Sequence, residues 1–439
     1  MSIAETIFTW GAPPLKFGAG ALDELGHDLG ALGITTALIV TDPGVAATGI
    51  PARAQEQLKA AGVEAEIYDQ AHVEPTDASL RAAVEYGRAH PADGYVAIGG
   101  GSAIDTAKAV NLLTSNPGDL MEYVNPPVGG GRAPTEPLKP LVAVPTTAGT
   151  GSESTPVCVM DILGLHVKTG ISHPKLRPVL AVVDPLLTIS LPPEVTASAG
   201  MDVLCHALES YTARPYTGFE RKRPEQRVAY CGSNPISDAW TEQALGLLAR
   251  SFRRAVQHGD DRDARHDMML AATFAGMGFG NAGVHIPHAC GYPIAGMVRG
   301  YKPAGYPQDE PMVPHGQSVS LTAPAAFRFT FGSAPERHLR VAGLLSPKVP
   351  TPSMRHARDS APSRNLGEYE DRERLPAALV DLMRDIGIPN GLAAVGYTEA
   401  DAEALAEGAY KQQRLLDVAP RDVTVDDLAE IFRASLHNW

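Results

Sequence analysis

An α/β domain built on a parallel sheet, followed by an all-α domain, is the fold that this 439-residue chain predicts. Three observations lead there. Short apolar runs alternate with amphipathic stretches as far as about residue 184, the rhythm of parallel strands joined by crossover helices. Beyond that point the apolar residues recur only at helical spacing. Prolines in "SLPPEV" mark the change, so the domains are expected at residues 1–190 and 191–439.

Taken in order, "TTALIVTD" predicts a buried strand, "PARAQEQLKAAG" a helix, "VEAEIYD" a strand and "DASLRAAVEYGRAH" a helix. "DGYVAIGGGSAIDTAKAVNLL" is a strand that runs through three glycines into a helix, and "PLVAVPTT" and "VLAVVDP" are further strands. In the second half, helices are predicted at "GMDVLCHALESYT", "SDAWTEQALGLLARSFRRAVQ", "ARHDMMLAATFAGMGFGNAG", "ERLPAALVDLMRDIG" and "VDDLAEIFRASL". Three stretches rich in Pro, Gly and Arg, beginning "RPYTGFERKR", "VRGYKPAGYP" and "SPKVPTPSMR", are expected as loops; the third runs over residues 346–374.

Composition excludes several classes. The chain carries 50 acidic against 37 basic side chains, a net charge of -13, which lacks the basic balance that a nucleic-acid backbone attracts. No run of about 18 apolar residues suggests a membrane span, and the first residues lack a basic region followed by an apolar core, so a cytoplasmic protein is expected. Cys158, Cys205, Cys231 and Cys290 form no CxxC pair and are too few for a disulfide framework, so reduced thiols are expected.

Two regions carry chemistry. Gly99 to Gly101 fall where a strand ends and a helix begins, so backbone N–H groups there can approach a phosphate with the helix dipole behind them. Ile104 stands where the last glycine of the dinucleotide fingerprint would fall, and a plain Gly-rich turn gives similar letters. "VPTTAGTGSES" adds the hydroxyls of Thr146, Thr147, Thr150 and Ser152 just after another strand. Asp42 ends the strand "TALIVTD", where a carboxylate can accept from a ribose diol and repel a 2′-phosphate, which favours NAD over NADP if a nicotinamide binds; a strand-terminal Asp is also a common turn or cap former.

The second region is "GMDVLCHALES". Asp202 and His206 are one helical turn apart, and Glu209 returns to nearly the same direction, so three ionisable groups lie on one stripe of an apolar helix. Burying them is costly without compensation. "GNAGVHIPHACGYP" and "MVPHGQS" supply His285, His288 and His315. One carboxylate with three imidazoles and no thiolate suits Fe²⁺ or Zn²⁺. Glu209 suits an outer position, orienting a ligand imidazole. Arg214, Arg221, Arg299 and Lys302 lie near these helices in sequence and are candidates to pair with an anionic substrate, most of them being expected as solvated surface residues.

"GGGSAIDTAK", "VPTTAGTGSE", "GMDVLCHALE", "NAGVHIPHA" and "PHG" resemble, in order and along most of the chain, the iron-containing (group III) alcohol dehydrogenases. The resemblance implies a dinucleotide-binding α/β domain joined to an all-helical domain, an architecture shared with dehydroquinate synthase, with a metal in the cleft between them. By motif the metal ligands would be Asp202, His206, His288 and His315. The NAD residues would be Asp42, Gly100, Gly101, Ser102, Asp105, Thr146, Thr147 and Lys168. Many members have a histidine where Tyr292 stands and a small residue at His285, so either of these two side chains could serve as the catalytic proton relay. These departures are similar to one branch of the family, the hydroxyacid-oxoacid transhydrogenases. That branch implies oxidation of 4-hydroxybutyrate to succinic semialdehyde, with 2-oxoglutarate accepting the hydride through bound NAD. A plain NAD-dependent alcohol or 4-hydroxybutyrate dehydrogenase is the alternative. Small hydroxyacid, oxoacid, alcohol or aldehyde substrates and a homo-oligomer, dimer or larger, are expected, with neither nucleic acid nor membrane as partner.

Overall fold

In the computed structural model, which describes residues 3–165, 167–227, 229–345 and 364–439, six strands form one all-parallel sheet. They are β1 (Leu15–Phe17), β2 (Thr36–Val40), β3 (Glu64–Tyr68), β4 (Gly94–Gly99), β5 (Leu141–Pro145) and, after a hairpin, β8 (Leu180–Val183). The spatial order is β1-β8-β5-β4-β2-β3. Side chains alternate between two buried faces. Leu38, Val40, Tyr95 and Ala97 join one core, and Ala37, Ile39, Val96 and Ile98 join the other. A parallel sheet covered on both faces needs apolar residues at every position, which explains the unbroken runs in the sequence.

From β2 the chain steps outward to β3, and from β4 it steps the other way to β5. The strand order therefore reverses between β2 and β4, and the carboxyl ends at such a switch point leave a crevice for ligands. Asp42 follows β2 and the three glycines begin at the end of β4, so both lie at that point.

The antiparallel hairpin β6 (Val157–Ile162) and β7 (Val167–Ser172) goes beyond the expected elements, as does the three-residue β1, too short to show a period. Of the stretch expected as a loop at 346–374, residues 346–363 lie outside the described residues. From Arg364 onward it belongs instead to the helix Arg364–Asp385. Its Glu, Arg and Leu content favours helix once a packed apolar segment continues it.

The described chain packs as two compact units. One comprises Gly11–Leu191 and Gly259–Gly280 and holds the sheet; the other comprises Met1–Trp10, Pro192–His258 and Asn281–Trp439 and is helical. This partition is by packing and does not follow one cut in the chain. The division into 1–190 and 191–439 stands as a proposal for the folding domains. No helix among the described residues is long and apolar enough to cross a membrane.

Candidate metal centre and nucleotide loop

The helix Pro193–Thr212 opens with proline at its first position, where the missing N–H costs nothing, and it is buried along most of its length. Asp202, His206 and Glu209 project from its buried stripe, each 3% exposed or less. A second helix, Ile286–Gly296, brings His288 to the same place, and a third, His315–Ser320, begins with His315 itself. Gly316 permits this arrangement. A Cβ at Gly316 would stand 1.9 Å from the backbone oxygen of Ser198, so only glycine lets this turn lie so close to the long helix.

Three ring nitrogens converge on one oxygen. Nε2 of His206, His288 and His315 lie 3.5, 3.4 and 3.7 Å from Asp202 Oδ1. Atoms about 2.1 Å from a shared ion stand roughly 3.4 Å apart in a tetrahedron, whereas a hydrogen-bonded N···O pair stands about 2.9 Å apart. Asp202 Oδ1 and His288 Nε2 are buried and have no hydrogen-bond partner among the described residues. Asp202, His206 and His288 bring one ligand atom each within 4.8 Å of one another, and that spacing with the orphaned atoms fits a divalent cation; His315 faces the same Asp202 oxygen but stands outside that group of three.

The charges agree. Burial pushes the Asp202 carboxyl up, but the imidazoles of His206, His315 and His288 together hold it well below the usual carboxylate range. Burial pushes His206 down to about 3, so its ring is neutral and its lone pair is available. For His288 burial opposes the charge, yet Glu209 and Asp202 on either side hold it up at about 9. A divalent ion in place of that ring proton balances the two carboxylates. Glu209 fixes the ring. Its Oε1 accepts from His288 Nδ1 at 2.6 Å, and its Oε2 accepts from the backbone N–H groups of His285, at 2.6 Å, and His288, at 3.3 Å.

His285 is one of the two residues expected as a relay. It caps the helix Ile286–Gly296: Nδ1 accepts from the N–H of Ile286 at 2.8 Å, and Nε2 lies 3.0 Å from Thr212 Oγ1. Both nitrogens are engaged, the ring is fully buried, and burial pushes it down to about 4. Tyr292 stands beside the cluster, its ring centroid 6.2 Å from that of His315. Of the cations offered for substrate, Arg214 pairs with Asp422, Arg299 pairs with Asp401, and Lys302 donates to the Gln308 carbonyl. Arg221 is exposed.

In the sheet-bearing unit, Gly100 caps the helix Gly101–Ser115 and Thr147 packs against it, Thr147 Oγ1 lying 3.4 Å from where a Cβ of Gly100 would be. A Cβ on Gly101 would meet Thr150 at 2.6 Å, so glycine is what lets the threonine loop close on the helix start. Thr146 extends the ladder by donating its N–H to the Gly99 carbonyl, and its buried hydroxyl has no hydrogen-bond partner among the described residues. Asp42 lies beside Gly99, with Oδ2 3.3 Å from that residue's Cβ position, while Oδ1 accepts from the N–H of Val45 at 3.0 Å.

Asp42, Gly100, Gly101 and Thr147 thus share one place, a helix N-terminus suited to an anion. If Asp42 meets the ribose diol there, NADH binds more tightly than NADPH. Asp42→Gly is expected to narrow the difference about tenfold or more, since two charges some 4 Å apart interact by roughly 1–4 kcal/mol between water and a protein surface. Fluorescence titration with both nucleotides checks this, and a wild type that prefers NADPH removes the argument.

The remaining expected cofactor residues also have partners within the protein. Ser102 Oγ accepts from the N–H of Glu74, and Lys168 pairs with the carboxylates of Glu74 and, at 3.4 Å, Asp161. Both Asp105 oxygens have internal donors, Ser152 Oγ at 2.5 Å and the N–H of Val159 at 2.9 Å. Sequence reasoning missed Glu74, held at φ 58 beside the glycine loop, and Lys108, fully buried beneath it. A lysine three residues after Asp105 on an apolar helix was the available signal for Lys108; Glu74 had none.

Comparison with known proteins agrees with these features. Residues 13–185 match the family described as iron-containing alcohol dehydrogenase, and residues 225–436 match its C-terminal family. The chain is 44% identical over 436 residues to the mitochondrial hydroxyacid-oxoacid transhydrogenase of Mus musculus, covering 99% of this chain and 91% of that protein. It is 43% identical over 429 residues to the Homo sapiens protein of the same name, covering 96% and 88%. Among solved structures, a 1,3-propanediol oxidoreductase superposes with a TM-score of 0.81 at 31% identity, over 98% of this chain and 100% of that one. A sulfoacetaldehyde reductase from Bifidobacterium kashiwanohense, solved in complex with NAD+, superposes with a TM-score of 0.77 at 25% identity, over 98% and 99%. The relatives named as transhydrogenases are mitochondrial by name, which overturns the expectation of a cytoplasmic protein.

Proposed function

Because the chain belongs to the iron-containing alcohol dehydrogenase family, we propose that it is a hydroxyacid-oxoacid transhydrogenase that oxidises 4-hydroxybutyrate to succinic semialdehyde while 2-oxoglutarate becomes 2-hydroxyglutarate. It is an oxidoreductase acting on CH–OH groups and on small substrates. The observation that carries the finer reading is the identity of 43–44% to proteins of that name over nearly the whole chain.

Asp202, His206, His288 and His315 would hold Fe²⁺, or Zn²⁺, and the glycine loop with Asp42 and Thr147 would hold NAD. When bound, the ion supplies Lewis acidity to a substrate oxygen and the nicotinamide accepts and returns hydride. The chain's own residues do the rest. Burial at the Asp202 cluster keeps water from competing, Glu209 fixes the His288 ring, and Tyr292 takes the proton-handling role in place of His285. In the first half-reaction the hydroxyl carbon loses hydride and its oxygen a proton; in the second the oxoacid carbon gains hydride and its oxygen a proton. The sum needs neither an outside oxidant nor a net proton. The expected homo-oligomer rests on the resemblance alone, and a monomeric mass in solution would remove it.

Deuterium decides between this reading and a dehydrogenase that releases NADH. Protein freed of loose nucleotide by gel filtration is given 4-hydroxybutyrate deuterated at the reacting carbon, together with 2-oxoglutarate and no added NAD. Label in 2-hydroxyglutarate is the expected result. Strict dependence on added NAD, with NADH accumulating in step with substrate, would instead favour the plain dehydrogenase.

A further inference from the structure

Lys108 is completely buried, an expensive place for an ammonium group, and its Nζ is surrounded by oxygen. It donates to Ser152 Oγ at 2.6 Å, to the carbonyls of Val157 at 2.6 Å and Ser152 at 2.8 Å, and to Thr155 Oγ1 and Asp105 Oδ1 at 3.3 Å each. Asp105 works in parallel. Ser152 Oγ donates to its Oδ1, and the N–H of Val159 donates to its Oδ2. Every partner of the pair belongs to the segment that follows the threonines after β5, and both charged residues stand on the helix Gly101–Ser115. One turn nearer the start of that helix, Thr150 is pressed against Gly101.

We propose that Lys108 and Asp105 are positioning residues, a buried clamp that draws the Thr150–Val159 segment onto the helix and so shapes the phosphate cradle formed by the glycine and threonine loops. The proposal rests on the nicotinamide reading above and changes the part of Asp105, which holds the loop and does not touch the cofactor. Lys108 lies seven residues beyond Gly101, two turns along the same face, so a contact at Nζ fixes the loop where the helix start must receive it. An apolar side chain could fill the same volume but could not gather two carbonyls, two hydroxyls and a carboxylate at once. The buried charge thereby selects one loop arrangement.

The test uses the full, metal-loaded chain and NADH as probe. Ser152→Ala removes the hydroxyl that Lys108 and Asp105 share and leaves both carbonyl contacts, so the fold is retained. The double variant Asp105→Asn/Lys108→Met removes both charges of the clamp together. In both, the Kd for NADH is expected to rise about tenfold or more, while bound metal per chain stays near wild type. A clamp with only a structural role would lower Tm and leave Kd unmoved. Kd values within about twofold of wild type in both folded variants would overturn the proposal. A wild type that binds neither NADH nor NADPH is a different failure, because it removes the nicotinamide reading itself.

Discussion

His206→Ala and His315→Ala are each expected to fold, to carry well under one equivalent of divalent metal, and to lose about a thousandfold in turnover. The magnitude follows from the Lewis acidity that a bound ion supplies, worth several kcal/mol, at about 1.36 kcal/mol per factor of ten. The loss of metal follows from the geometry. Each ring presents its Nε2 to the same Asp202 oxygen, at 3.5 and 3.7 Å, so each deletion removes one of the nitrogens proposed to hold the ion. Elemental analysis reads the outcome directly. If both variants keep a full equivalent of metal, the ion lies elsewhere and the cluster is only a buried polar network.

Glu209→Gln tests the support behind His288 with almost no change of shape. The carboxylate takes three donors: His288 Nδ1 on one oxygen, and the N–H groups of His285 and His288 on the other. An amide has only one accepting oxygen. If that oxygen keeps the two backbone donors, its NH2 faces Nδ1, and the ring must move its proton to Nε2, the atom that faces Asp202. The ligand lone pair is then lost. Metal affinity is expected to fall about 10–100-fold, as for other outer carboxylates that orient ligand histidines, with stability reduced by about 1–3 kcal/mol for a buried donor left unpaired. Competition with a chelator measures the first and thermal melting the second. Unchanged affinity in a folded variant would reduce Glu209 to a helix anchor.

Much of this site is legible in the spacing of residues along the chain. Asp202 and His206 are four apart on one helix, and Glu209 follows at seven, so the shared face is a property of 3.6 residues per turn. The glycines ending β4 and the acid ending β2 are equally visible, because a strand that stops at glycine or aspartate announces its own end. Arg364–Asp385 shows the limit of such local reading. Its charged first half looks like loop until the apolar residues beyond it find a buried surface, with Leu375, Leu379 and Met383 each 2% exposed or less.

The class of fold, the strands buried on both faces, the carboxylate–imidazole stripe and the glycine-rich turn at a helix start are thus written in the chain itself, all set by spacing within one element. The tertiary structure decided which elements meet. It placed β4 between β2 and β5 and so brought Asp42 beside Gly99. It turned three histidines from three helices toward one oxygen of Asp202, using the missing side chain of Gly316 to let His315 approach. It also spent His285 as a helix cap and buried Lys108 under the threonine loop. Convergence of this kind depends on packing between residues as much as 113 positions apart, from Asp202 to His315, and no local period encodes the distance at which two separately folded faces will stop.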